Sequence, residues 1–195
     1  MGKQRGDTII EVMLAFVLFS LVVVSTITLM NSGMATAQRS LELTLVRQQI
    51  DSQIVMLNNF KQNNPIAWQG FISNPNITGG NVLPELSTYD SCPGAVGAGM
   101  NNSFFMAASF PAKDSVQPYP VEPSNFQPAV TFANVDVLAE SDVTPKSYGV
   151  WTTLVRSEGH DKVAAYDAHV RACWYSVGDK RPTVIATVVR MYENN

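Results

Sequence analysis

GDTIIEVMLAFVLFSLVVVSTITLMNSGMATAQ, residues 6–38, decides how this chain is read. After Glu11 the stretch from Val12 to Gln38 carries no charge, and the next base is Arg39. About 20 such residues suffice to cross a bilayer as a helix. Lys3 and Arg5 precede the run. The bias of basic residues places the N-terminus in the cytoplasm and everything from about residue 32 onward outside. Glu11 is the anomaly. An ionised carboxylate in hydrocarbon costs roughly 2.5–3.5 kcal/mol or more, so something must compensate it.

Working outward, no proline occurs before Pro65. A single helix from Asp7 to about Asn63 is expected, roughly 85 Å long at about 1.5 Å per residue. Gly33 is its one interior glycine and the candidate for a bend. Beyond it Leu43, Val46, Ile50, Ile54, Leu57 and Phe60 recur at spacings of three and four. Arg39, Glu42, Arg47, Asp51 and Lys61 are interspersed. This is an amphipathic helix whose stripe should pack on the chain's own C-terminal domain. Asn63-Asn64-Pro65 reads as its stop.

The residues Gly6, Thr8, Ile9, Ile10, Glu11 and Val12, after a short basic leader, resemble the processing signal of type IV prepilins and related pilin-like proteins. The resemblance covers the first 55–60 residues. It implies a leader at 1–6 and a membrane and filament-core helix at 7–34. An amphipathic half at 35–62 and an extracellular head at 63–195 would follow. It implies cleavage between Gly6 and Asp7 by a prepilin peptidase, N-terminal methylation, and delivery to a pilus assembly platform. In the filament, Glu11 of one subunit would pair with the new terminal amine of another. Asp7, Thr8 and Glu11 are then the assembly residues. Asp7 departs from the family, which has Phe or Met there, and this points to a minor or specialised subunit rather than the major pilin. The mature form would lie in an extracellular pilus and the precursor in the cytoplasmic membrane. A pseudopilin of a type II secretion or DNA-uptake machine is the alternative.

Two other readings of the N-terminus compete. Ala35-Thr36-Ala37 resembles a signal-peptidase site, and a plain single-pass anchor is the other alternative to prepilin-like processing. Against a signal peptide, the apolar run exceeds the usual 7–15 residues, and helical periodicity continues past the cut.

About 130 residues remain for one compact domain. From Asn63 onward twelve acids face eight bases, a net of −4, which argues against general attraction to nucleic acid. Cys92 and Cys173 both fall in the extracytoplasmic part. A disulfide between them would close a loop of about 80 residues, with an upper-limit stabilisation near 4.5 kcal/mol. Neither a CxxC pair nor paired histidines point to metal, and no cofactor is expected. Asp136, Glu140 and Asp142 lack the spacing of a calcium loop.

From Pro65 to Pro128 the chain is loop-rich, with turns at Asn74-Pro75-Asn76, Gly79-Gly80, Cys92-Pro93-Gly94 and Gly97-Ala98-Gly99. Five prolines between Pro111 and Pro128 exclude a central strand and suggest irregular chain. Asn76 and Asn101 begin short N-glycosylation patterns. Ser103–Phe110, Val130–Leu138, Tyr148–Arg156, Val163–Val177 and Thr183–Tyr192 are strand candidates. A turn at Glu158–Lys162 and a hairpin about Gly178-Asp179-Lys180-Arg181 join them. The fold class expected is α+β, one long helix on an antiparallel sheet. Val170, Ala172 and Trp174, with Val184, Ala186 and Val188, would face the helix stripe.

No nucleophile motif, phosphate loop or HExxH appears, so no enzyme is expected. His160-Asp161 and Asp167-Ala168-His169 read as surface residues. Arg171, Lys180, Arg181 and Arg190 lie near Trp174, Tyr175 and Tyr192, a mixture that can grip nucleic acid. The competing reading is a hairpin whose charges block edge-to-edge aggregation.

Overall fold

A computed structural model gives the architecture; it describes residues 7–73, 82–83, 92, 100, 102–109, 115–136, 144–158, 164–176 and 178–193. The chain is α+β. One long N-terminal helix, α1 (Asp7–Asn63), packs its residues from Leu43 to Phe60 on a C-terminal antiparallel sheet. The helix runs unbroken through Gly33. The chain divides between Leu41 and Glu42 into two compact units.

The first unit is helix throughout its described residues. Its large apolar side chains, from Ile9 to Met34, are exposed. Ser20, Ser25, Thr26, Thr28 and Thr36 each donate their hydroxyl to the carbonyl four residues back, at 2.7–3.0 Å. That internal bonding removes the polar groups that would otherwise count against an apolar span. Residues 9 onward meet the length and composition needed to cross a membrane.

The second unit is built on a sheet of order β3-β2-β7-β8-β9, with β1 joining β7 beside β2. The strands are β1 (Val82–Leu83), β2 (Ser103–Ser109), β3 (Ser115–Pro120), β7 (Val150–Glu158), β8 (Ala164–Trp174) and β9 (Thr183–Tyr192). β7, β8 and β9 form an antiparallel meander. A small sheet, β4 (Phe126–Gln127), β6 (Lys146–Tyr148) and β5 (Asn134–Asp136), abuts one end. Gly149 makes the corner between β6 and β7. Its φ is +70°, and an added Cβ would lie 2.0 Å from the Cys173 carbonyl oxygen, so only glycine fits.

The core has two layers. Val46, Ile50, Leu57 and Phe60 of α1 meet Leu154, Ala168, Val170, Ala172, Trp174 and Met191 on one sheet face. On the other face Phe105, Trp151, Cys173 and Val121 surround Cys92. Cys92 and Cys173 are joined by a disulfide with Cα atoms 5.5 Å apart.

Four expectations are corrected. First, Pro65–Ile72 is a helix, α2, not loop. Asn64 is its N-cap and Pro65 its first residue, a favourable start because proline's missing N–H has no helical partner there in any case. Second, Ser115–Pro120 is a strand. It is an edge strand, and Pro118 and Pro120 sit at positions whose N–H would point outward, so no ladder bond is lost. Third, of the described part (130–136) of the strand expected over Val130–Leu138, only Asn134–Asp136 is strand, and Val130 is exposed.

The fourth concerns β9. Val170, Ala172 and Trp174 do face the helix, but their partners are Thr187, Ile185 and Thr183. Val184, Ala186 and Val188 lie on the far side, opposite Cys173, Arg171 and His169. The register differs by one residue from that expected, and a one-residue slip moves every side chain to the other face.

Candidate functional site

The N-terminal site is built on the first turns of α1. The described helix begins at Asp7, and Glu11 stands one turn later, about 6 Å along the axis. The Glu11 side chain is exposed. Gly6 and the expected leader lie outside the described residues, as do the side chains of Asp7 and Thr8. Just beyond Glu11, Ile10, Met13, Leu14, Val17 and Leu18 line one shallow and wholly apolar groove of about 350 Å³. Their spacing of three and four puts them on one helix face. The site therefore joins the exposed Glu11 carboxylate to an apolar surface. Chemically it can do two things: bury apolar area, and accept one cationic partner. An unpaired Glu11 buried in such a surface would be strongly unfavourable, so burial of this face would require a cationic partner for Glu11.

The C-terminal basic and aromatic residues do not form one surface. Arg171 is buried opposite Trp151 and Ala186, and it has interactions of its own. Arg190 makes a two-pronged ion pair with Asp167, at 2.7 and 2.8 Å. Trp174 is on the helix face and buried. Of these four bases, Lys180 and Arg181, in the β8–β9 turn, are exposed and have no assigned partner among the described residues. The grouping expected from sequence is thus corrected in part: Arg171, Arg190 and Tyr192 do share the sheet face away from α1, but Trp174 lies on the opposite face, Arg171 is buried and Arg190 is held by Asp167.

Asp167 and His169 share the sheet face away from α1. Arg190 hydrogen-bonds Asp167 and holds its carboxyl below the usual range, against a smaller opposing effect of burial. Burial lowers His169, and the Arg171 charge lowers it further, while Asp167 partly offsets both. His169 is therefore mainly neutral at pH 7 and sits beside an ion pair. His160 and Asp161 lie outside the described residues, as do Asn76, Asn101, Glu140 and Asp142. Among the described residues no three His, Cys, Asp or Glu side chains group as metal ligands.

Two polar residues of α1 have roles that the sequence reading assigned to a solvated face or passed over. Glu42, the first residue of the second unit, accepts from the Trp174 indole N–H at 3.2 Å and the Ser176 hydroxyl at 2.6 Å. Gln53 is fully buried. Its amide donates to the Met106 carbonyl at 2.8 Å and accepts from the Met106 N–H at 2.7 Å. Met106 lies opposite Pro118 of β3, which has no N–H, so its own backbone groups point away from β3. Registered pairing to β7 stops at Phe104. Gln53 thus takes the place of a missing strand. Extending the register would put Val150 opposite Met106, and there Ser147 Oγ serves the same purpose, bonding both the Val150 N–H and carbonyl.

No protein-family model, curated protein or solved structure matches the chain.

Proposed function

We propose that the chain is the precursor of a subunit, minor or specialised, of a type IV pilus-like filament. A prepilin peptidase removes residues 1–6 at the cytoplasmic face of the membrane. The remaining helix is anchored in lipid until the assembly platform moves the subunit into a filament of like chains. There the Ile10–Leu18 face packs on neighbouring helices, and Glu11 accepts the terminal amine of an adjacent subunit. The head formed from residue 42 onward is carried on the filament exterior. The observation that carries this reading is Glu11: one acid, five residues after Gly6, ahead of an uncharged apolar run on a helix that continues into a folded head. The long helix on an antiparallel sheet is the architecture the reading requires.

The mature N-terminus tests it. Mass spectrometry on protein from membranes and from sheared surface material should give a start at Asp7, with or without one added methyl group. An intact Met1 would make the helix a simple anchor, and a start at Gln38 would make the head a secreted domain. Glu11→Ala should leave membrane insertion intact and reduce filament incorporation at least tenfold, about 1.4 kcal/mol. Incorporation at the wild-type level would remove Glu11 from the mechanism.

A further inference from the structure

We infer that the cleft between α2 and the edge strand β3 binds a neutral saccharide. The cleft holds about 400 Å³, within the roughly 300–1,000 Å³ of small-molecule sites. Phe60, Asn64, Gly70 and Phe71 line one wall, and Gln117 and Pro118 the other. None of its lining residues is ionisable.

Three exposed residues of the lining take no part through their side chains in holding the fold together. Gly70 lies inside a helix, where glycine is the poorest residue after proline. Its φ is not in the left-handed region, and a Cβ added to it would meet nothing within 4 Å. Asn64 is the N-cap of α2, yet its side chain makes no capping bond. Gln117 is exposed, and no hydrogen bond of its amide is assigned among the described residues. Together they make the cleft receptive: Gly70 leaves its wall open, and the Asn64 and Gln117 amides, on opposite walls, have no assigned side-chain partner among the described residues.

The lining also selects the ligand's chemistry. An ionic group would find no counter-charge in the lining. A purely apolar ligand would bury the two amides unpartnered. A peptide strand added to β3 would find Pro118 and Pro120 where it needs outward N–H donors. A saccharide offers an apolar C–H face for Phe71 and Pro118 and a hydroxyl rim for planar amides. The inference does not depend on filament assembly.

Saturation-transfer NMR on the full chain, in a detergent without a sugar head group, tests it. The probes are glucose, galactose, N-acetylglucosamine and lactose, with galacturonate as a charged counterpart. At least one neutral sugar should receive saturation on its ring C–H protons. Asn64→Ala and Gln117→Ala should each weaken it about tenfold, the equivalent of one neutral hydrogen bond. Gly70→Leu should abolish binding with an unfolding midpoint at or above that of the parent chain. If Gly70→Leu disturbs the fold, Gln117→Ala, at an exposed strand position, still decides. No transfer to any neutral sugar at millimolar concentration would overturn the inference. So would binding undiminished in Gln117→Ala, or galacturonate preferred to galactose.

Discussion

Replacing Gln53 by Leu tests how the second unit is held together. The side chains are similar in volume and Leu suits a buried helical position, so the substitution removes hydrogen bonding and little else. Gln53 is fully buried and bonds both backbone groups of Met106, at 2.7 and 2.8 Å. Each neutral bond contributes about 1 kcal/mol net, and each buried backbone group left without a partner costs about 1–3 kcal/mol. The two orphaned groups therefore set a loss of about 2–4 kcal/mol, after a small gain from burying an apolar side chain. Unfolding by urea is followed conveniently by tryptophan fluorescence. All three tryptophans, Trp68, Trp151 and Trp174, are buried in this unit and none lies in the apolar half of α1. With a slope of about 2 kcal/mol per molar, the midpoint should fall by about 1–2 M. Gln53→Glu should not restore it, because a carboxylate can accept from the Met106 N–H but repels the Met106 carbonyl. A shift below about 0.5 M for the Leu variant would mean that Gln53 is incidental and that Met106 finds other partners.

Three further outcomes follow from the geometry. Glu42→Ala should cost about 1–3 kcal/mol by removing the acceptor of Trp174 and Ser176, and Glu42→Gln about half as much, read by the same urea titration. Gly149→Ala places a methyl 2.0 Å from the Cys173 carbonyl and asks an L-residue to hold φ +70°. It should destabilise by about 3 kcal/mol or more, with altered near-ultraviolet dichroism of the neighbouring Trp151. His169 has a folded-state pKa below its unfolded value of about 6.5, so its contribution is present above that value and lost as pH falls through the lower one. Asp167, also lowered, adds a second loss at more acidic pH. The urea midpoint should therefore decline from pH 7 toward pH 5, and His169→Gln should flatten that first decline while leaving the more acidic one.

Much of this fold is legible in residues close together in sequence. The absence of proline before Pro65 and the three-and-four spacing from Leu43 to Phe60 specify α1 and its buried face, and both are local properties. The β8–β9 hairpin and the alternation of β7 are equally local. What escapes is whatever depends on a partner far along the chain. Asn64-Pro65 reads as a helix stop, yet the same dipeptide opens α2, whose stability comes from Trp68 and Ile72 meeting the sheet. Pro118 and Pro120 argue against a strand until β3 proves to be an edge. Gln53 could have been noticed. It sits three residues after Ile50 and four before Leu57, on the apolar stripe itself, and a polar residue there must find a buried partner. The sequence cannot name Met106 as that partner. At the N-terminal site the converse holds: Glu11 is conspicuous in sequence, and the helix adds only its exposure and the apolar face beside it.

The register of β9 shows where such reading fails and what would have repaired it. Thr183–Tyr192 carries apolar residues at both alternations: Ile185, Val189 and Met191 on one, Val184, Ala186 and Val188 on the other. Hydrophobic pattern alone therefore cannot choose a face. The choice is made at the hairpin, whose loop of eight residues, 175–182, pairs Trp174 with Thr183. A loop one residue shorter or longer would present Val184 and Ala186 to the helix instead. The parity of β8 itself is fixed by chemistry. Cys173 must face Cys92, and the disulfide closes the core opposite α1. Odd-numbered residues of β8 are thereby committed away from the helix, and Ala172 and Trp174 toward it. Since Ile185 packs in the same cluster as Trp174, with Ile50 and Val46 beneath, the even-length loop is the arrangement that buries the larger side chain. Val188 is left half exposed as the consequence. Inserting one glycine after Gly178 should force β9 to choose between its pairing and its packing. If packing governs, the longer loop bulges and Ile185 stays in place, with little change in the urea midpoint. A shift of register would instead expose Ile185 and Met191 and cost several kcal/mol.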